Sequence, residues 1–169
     1  LTLQRGGLDA VEVLIERLIA APAVSERRAI FDTLRQMQAG REQLIPLLRH
    51  NKWFVVRNVA ELVGELGLEE AVPELARCLE HDDERVRKVV ALALAKIGTA
   101  STAEPLRRAL RDKSPEVRIQ VAVGLGGRRT TGVVMPLVTA LQGEEEETVR
   151  REMILALGRI GTPDAVQAL

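Results

Sequence analysis

The sequence predicts an all-α fold, a solenoid of stacked helix pairs, on three observations. Of the 169 residues 46% are apolar but only 2% aromatic, namely Trp53, Phe31 and Phe54 with no tyrosine. The core must therefore be built from Leu, Val, Ile and Ala, which suit closely packed helices better than a sandwich of sheets. The ends of the apolar helices, at Gln38, Gly67, Gly98, Arg129 and Gly161, recur at spacings of 29, 31, 31 and 32 residues, a period that belongs to repeat arrays. Each period also holds two apolar segments, a shorter A and a longer B, with the i, i+3, i+4, i+7 spacing of helices.

Along the chain, the first unit pairs AVEVLIERL (10–18) with a degenerate B helix, ERRAIFDTLRQMQ (26–38), in which Leu34 and Met37 hold the pattern. The second B helix is FVVRNVAELVGELG (54–67); its Val56-Arg57 sits one residue out of step, so a differently wound first turn is expected. The third unit has AVPELARCLE (71–80) and VRKVVALALAKIG (86–98). The fourth has AEPLRRALR (103–111) and RIQVAVGLGGRR (118–129), and the fifth VVMPLVTALQ (133–142) and a helix running from Val149-Arg150 through Leu157 and Ile160. AVQAL (165–169) opens a sixth. Unit boundaries near 8–40, 41–68, 69–99, 100–130, 131–162 and a partial 163–169 make residues 1–169 one repeat domain.

Local signals support these limits. Proline near the start of an A helix loses no hydrogen bond, because the first amides of a helix have no partner within it. Ser114-Pro115-Glu116 reads as an N-cap, a first-turn proline and an acid facing the positive helix end, and Asp82-Asp83-Glu84 and Glu144 to Glu147 supply the same charge. Gly67, Gly98 and Gly161 fall where a left-handed C-terminal residue is wanted. The B helices are apolar almost all round because each is sandwiched between neighbours, and Ala60, Ala91, Ala93, Ala122 and Ala156 let them approach closely. In the fourth B helix Gly124, Gly126 and Gly127 each cost roughly 1 kcal/mol against alanine, and Arg128 replaces the Ile97 and Ile160 of its neighbours. That helix is expected to end early, with Arg128, Arg129 and Thr130 in a loop that could be a plain cap, a hinge or an anion contact.

The pattern P-x-L-x-x-x-L…D-x-x-V-R-x-x-A-x-x-A-L-G-x-I-G, seen in residues 71–98 and repeated through 161, resembles the HEAT-like repeat of the phycobilin-lyase type. The resemblance implies a right-handed α-solenoid of about five two-helix repeats plus a partial sixth, with A helices on the convex side and B helices on the concave one. It is specific for fold and permissive for function, since such repeats serve scaffolds, adaptors, chromophore lyases and some enzymes.

Charge and composition narrow the function classes. Twenty-four basic and 24 acidic residues cancel, leaving no broad positive field for a phosphate backbone, which argues against nucleic acid as the partner. One cysteine, Cys78, cannot close an internal disulfide. No apolar run approaches the ~18 residues of a membrane span, and residues 1–20 lack a signal-peptide pattern. A cytoplasmic location without membrane contact is the expectation. Leu1 is not an initiator methionine, and Leu169 stops inside an A helix whose Val166 and Leu169 would need cover, so a fragment of a longer protein, or an end that docks elsewhere, is expected.

Chemistry finds few candidates. His50 and His81, 31 apart after successive A helices, read either as a metal or proton-transfer pair or as polar turn residues. Deoxyhypusine hydroxylase, of the same repeat class, carries His-Glu dipeptides that bind iron, whereas the neighbours here are Asn51 and Asp82; turn residues are the better reading. Cys78 has no visible base beside it. Arg87, Arg118 and Arg150 read as partners of a turn acid of their own or the next unit, Asp82, Asp83 or Asp112, rather than as a basic ladder, and Glu144 to Glu147 as a solvated turn. Catalytic, metal and cofactor residues are accordingly expected to be absent.

The concave face is the remaining candidate. The positions two, three, six and ten after the valine point away from the stack: Lys88, Val89, Leu92 and Lys96; Ile119, Gln120, Val123 and Gly127; Arg151, Glu152, Leu155 and Arg159; and, earlier, Arg57, Asn58, Glu61 and Glu65, and Arg28, Ala29, Asp32 and Gln36. The middle line, Asp32, Glu61, Leu92, Val123, Leu155, turns from acidic to apolar. Either curvature buries this row between adjacent helices, or Val89, Leu92, Ile119, Val123 and Leu155, rimmed by Lys88, Lys96, Arg151 and Arg159, form a groove for an amphipathic, partly acidic segment. The function expected is a non-enzymatic scaffold or adaptor for a protein or peptide, with a component of a bilin lyase or other cofactor-handling enzyme as the alternative and a DNA-binding helical-repeat enzyme as the weakest. The oligomeric state is left open.

Overall fold

The computed structural model describes residues 13–18, 20, 21, 24–36, 41–127 and 131–167. The described residues are helical without strands, and the helices follow the expected order. Residues 13–18 form α1, and α2 spans Val24–Gln36. A 3-10 helix, Arg41–Arg49, occupies the A position of the second unit, with Pro46 inside it. The remaining B helices are α3 (Trp53–Leu66), α5 (Glu84–Ile97), α7 (Pro115–Gly126) and α9 (Glu147–Ile160). The remaining A helices are α4 (Val72–Cys78), α6 (Ala103–Ala109) and α8 (Val134–Gln142), each entered through a three-residue 3-10 turn, and α10 (Pro163–Gln167) follows.

The B helices pack side by side and parallel. Arg85 at the start of α5 lies on Trp53 at the start of α3, and Ala93 near the end of α5 lies against Gly64 near the end of α3. The most extensive contacts join α3 to α5, α5 to α7 and α7 to α9, while α2 touches α3 far less. Buried Val59, Leu62, Val90, Leu94, Val121, Leu125, Met153 and Leu157 form the continuous centre of the stack, with A-helix side chains such as Leu75, Leu106 and Leu137 closing it from one side.

Glycine sets the spacing. A methyl group on Gly64 would lie 2.6 Å from the Ala93 Cα, one on Gly124 2.7 Å from the Ala95 Cβ, and one on Gly126 2.8 Å from the Ala156 Cα. Gly124 and Gly126, expected to weaken the fourth B helix, lie within it and permit close packing on both sides. The helix does end early: α7 has 12 residues against 14 in α3, α5 and α9. Its C-cap, Gly127, is right-handed at φ −75°, whereas Gly67, Gly98 and Gly161 take the left-handed conformation at φ 64°, 56° and 61°. Arg128, Arg129 and Thr130 lie outside the described residues.

Two local expectations are corrected. The second B helix is not out of step: α3 starts 31 residues before α5, which puts Val56 at the place of Arg87 and Arg57 at that of Lys88. Both Val55 and Val56 are buried, so the Val-Val-Arg order misled. Ser114 does occupy the N-cap, but it accepts no amide there. Its hydroxyl is 2.9 Å from both the Glu84 and the Glu116 carboxylates, which hold it as a donor. Asp83, expected to supply charge at the start of α5, is also its N-cap, accepting the Arg85 amide at 2.9 Å.

The packing yields a paired test. Gly64→Ala forces a methyl into the Ala93 backbone and should cost about 1–3 kcal/mol. Gly158→Ala, within α9 and with nothing near the added methyl, should stabilise by about 0.5–1 kcal/mol. Thermal unfolding followed by circular dichroism should move the midpoint in opposite directions.

Candidate partner-binding surface

Helix α9 has α7 as its one B-helix neighbour among the described residues, whereas α5 and α7 bury the residues that face their two B-helix neighbours and their A helices and leave one flank open. On that flank Val123 and Leu155 are 39% and 43% exposed, so curvature does not seal them. Leu92 is half-buried, and Val89 and Ile119 are partly buried against the core. The row is thus graded, from partly core at α5 to open at α9; the exposed Ile154 stands at the place of buried Ala91 and Ala122 and faces the side of α9 on which no described B helix packs. Asn58 departs from the outward expectation: it is buried and accepts a hydrogen bond from Arg57 Nη1 at 2.9 Å.

Two of the four expected rim cations have partners inside the chain. Lys96 is paired with Glu65 of the preceding unit, and Arg159 lies 3.9 Å from Glu152. Arg151 is exposed. Lys88 forms no ion pair within 4 Å among the described residues and interacts with Glu116 at longer range. Its position on α5 turns it toward a cleft of about 780 Å³ at the N-terminal halves of α3, α5 and α7.

That cleft was not anticipated. It is lined by Trp53, Phe54, Arg57 and Asn58 of α3, by Arg85, Lys88, Val89 and Leu92 of α5 and by Gln120 of α7, and it is closed on one side by Leu18, Ala20 and Ala21. Trp53 and Phe54 meet edge to face with ring centroids 6.0 Å apart. The Arg85 guanidinium covers Trp53 at 3.6 Å from the ring centre, a cation–π stack. Two hydrogen bonds to Asp83, at 2.9 and 2.6 Å, hold it there, and that arginine holds the Asp83 carboxyl down at about 2. The available signal was Trp53-Phe54 itself, two of the three aromatic residues side by side at a helix start.

The other candidates resolve into structure. His50 Nδ1 accepts the Lys52 amide and His81 Nδ1 the Asp83 amide, at 3.1 and 3.0 Å. Asp112 and Glu144, at the same place in later units, accept the Ser114 and Glu146 amides in the same way. The histidines are turn residues. Cys78 is buried, its thiol donates to the Leu48 carbonyl at 3.4 Å, and burial pushes it up to about 11, so it is a poor nucleophile at neutral pH.

The repeated arginines tie unit to unit. Arg87 donates to both Asp112 oxygens at 2.8 and 3.1 Å and to the carbonyls of His81 and Asp82 at 2.8 and 3.0 Å. Arg118 donates to both Glu144 oxygens at 2.7 Å and to the Asp112 carbonyl at 2.7 Å. Arg150 reaches the Leu141 and Glu144 carbonyls. Glu144 is therefore not part of a solvated run: with its side chain 6% exposed, it is the Arg118 counterpart of Asp112, while Glu145, Glu146 and Glu147 are exposed.

Stacked helix pairs, parallel B helices and a turn ladder define a helical-repeat solenoid. The chain belongs to the family described as HEAT repeats, which matches over residues 11–82, 42–114 and 103–169. No curated protein sequence matches. Among solved structures, the complex of CpcE and CpcF of phycocyanin lyase from Nostoc sp. PCC7120 is similar with a TM-score of 0.74 and 17% identity, over 88% of this chain and 98% of that one. An engineered protein is similar at 0.56 and 22%, over 98% and 76%. A designed armadillo repeat protein in complex with the peptide (KR)4 is similar at 0.51 and 19%, over 94% and 89%. These likenesses show the fold. No helix among the described residues is long and apolar enough to cross a membrane.

The ladder predicts an acid response. Hydrogen bonds from Arg118 hold the Glu144 carboxyl below its ordinary value of 4.5, against burial, with the Glu146 amide adding to the effect. A depressed folded value means that the stabilisation is complete above the ordinary value and is lost as pH falls through the lower one. Glu144→Gln should cost about 1–3 kcal/mol at pH 7 and should flatten the fall of the unfolding midpoint below pH 4.5, as measured by calorimetry across that range.

Proposed function

We propose that this chain is a non-enzymatic interaction module whose concave B-helix surface holds a protein or peptide segment. The observation that carries the reading is the exposure of Val123, on the one open flank of α7, and of Leu155 at the equivalent place on α9. Contiguous exposed apolar side chains on a rigid repeat surface mark an interaction site. Leu92, Val89 and Ile119 extend the row toward α5, and Lys88 and Arg151 supply charge at its edges, with Lys96 and Arg159 beside their own carboxylates.

Two relatives in fold support the reading. A solenoid of this shape takes part in a two-protein complex in the phycocyanin-lyase structure, and designed armadillo repeats of the same architecture were made for modular peptide recognition. The whole of residues 1–169 acts as one repeat domain in this proposal, in the cytoplasm.

Peptides selected from a display library against the whole chain, then titrated by calorimetry, test it. Val123→Asp and Leu155→Asp should each weaken the selected peptide at least tenfold, about 1.4 kcal/mol, while helicity and unfolding midpoint stay put because both sites are exposed. Unfolding of either variant would show the row to be core. A saturable absorbance shift of a tetrapyrrole without peptide binding would favour a bilin-handling component instead.

A further inference from the structure

We propose that the cleft at the N-terminal halves of α3, α5 and α7 is the anchor pocket of that surface, and that it seats a bulky apolar side chain of an acidic partner segment. The inference rests on the reading of the concave face as a peptide-binding surface and adds the chemistry of the peptide.

Size comes first. About 780 Å³ falls in the roughly 300–1,000 Å³ range of ligand pockets, room for a large side chain together with some of its backbone. The walls are suited to such a group. Trp53 and Phe54 are half-buried rather than sealed in the core, and Val89 and Leu92 add apolar surface beside them. Aromatic side chains of this kind supply much of the energy of interface pockets.

Charge selects the partner. Three cations line the cleft, Arg57, Arg85 and Lys88, and no carboxylate does among the described residues. Arg85 is matched by Asp83 and lies over the Trp53 ring, so it acts as a wall. Lys88 has no close ion pair among the described residues, and Arg57 has Glu61 only at 3.8 Å. The N-terminal ends of α3 and α5 at the cleft add positive potential. Carboxylates flanking the seated side chain complement this field, whereas a basic segment would meet like charge.

Continuity favours an extended segment over a small anionic molecule. Gln120 on the cleft wall lies one helical turn before exposed Val123, and Leu155 occupies the equivalent place on α9. A chain leaving the cleft can cover that row; a small ligand leaves it bare.

Trp53 is the sole tryptophan, so its emission reports the cleft. The full chain is titrated with a synthetic peptide of glutamates interspersed with leucine and phenylalanine, with the same peptide carrying lysines for the glutamates, and with biliverdin. The expected result is a saturable emission change with the acidic peptide, weakened about tenfold by Lys88→Glu, restored by Lys88→Arg and reduced by added salt, with unchanged thermal midpoints. Equal response to the basic peptide, indifference to Lys88→Glu, or a response to biliverdin alone overturns the inference. If a library-selected peptide binds and is lost in Leu155→Asp while Trp53 emission and Lys88→Glu have no bearing on it, the pocket fails and the concave-surface reading stands; if no peptide of any kind binds, both fail.

Discussion

The architecture depends on how closely the B helices approach one another. At three successive interfaces a glycine of one helix meets an alanine of its neighbour, Gly64 with Ala93, Gly124 with Ala95 and Gly126 with Ala156, and at the first and third backbone nearly touches backbone. Dispersion attraction falls steeply with separation, and a stack with so few aromatic groups gains cohesion by this closeness. It also fixes register: a helix slid by one turn would drive Glu61 toward the space Gly64 leaves, or Gln120 or Val121 toward that of Gly124. With register fixed, equivalent residues of each unit line up, and one flank of every B helix remains open.

A second tie lies at the turns, in a single position with two chemistries. His50, His81, Asp112 and Glu144 stand at one equivalent place, and each accepts the amide two residues on. The acids also receive the arginine of the preceding unit, and the Arg87–Asp112 pair is well covered, with side chains 4% and 8% exposed. Where the histidine His81 stands, the preceding unit has Val56 in the arginine's place. A buried guanidinium opposite His81 would be an uncompensated charge, which accounts for Val56 in that unit, while Arg87 and Arg118 each occur with an acid. The carbonyls that the arginines also bind close the helix-end hydrogen bonding that a tight turn leaves open.

What the sequence disclosed follows from the range of each signal. Helix ends depend on neighbours a few residues away, and Gly67, Gly98 and Gly161 took their left-handed place as the local rule requires. The period located the open flank for the same reason. Contacts between units were harder to see. Gly124 and Gly126 read as weaknesses because helix propensity considers one helix at a time, and Glu144 looked like its three exposed neighbours because only the offset to Arg118 distinguishes it. Val56 was misplaced where the second unit substitutes valine for arginine, whereas Asn58 was set in the correct register, at the place of Val89, and is buried there. The cleft was invisible because residues of α1, α3, α5 and α7 meet there, and no local pattern joins them.

Neutrality of the whole chain conceals how its charges are distributed. The acids Asp112, Glu144 and Asp83 are engaged by Arg87, Arg118 and Arg85, and Glu65 by Lys96; these pairs cancel locally and leave little field at a distance. Lys88 stands apart from them, on the open flank and beside the aromatic pair. A net charge of zero therefore argues against nonspecific attraction to a polyanion, yet it is compatible with a short-range preference for carboxylate at one point of the groove. Screening confines that preference to about 10 Å at ordinary ionic strength, roughly the distance between neighbouring helices. In the proposed groove, selectivity rests on one cation placed beside apolar side chains that are already exposed.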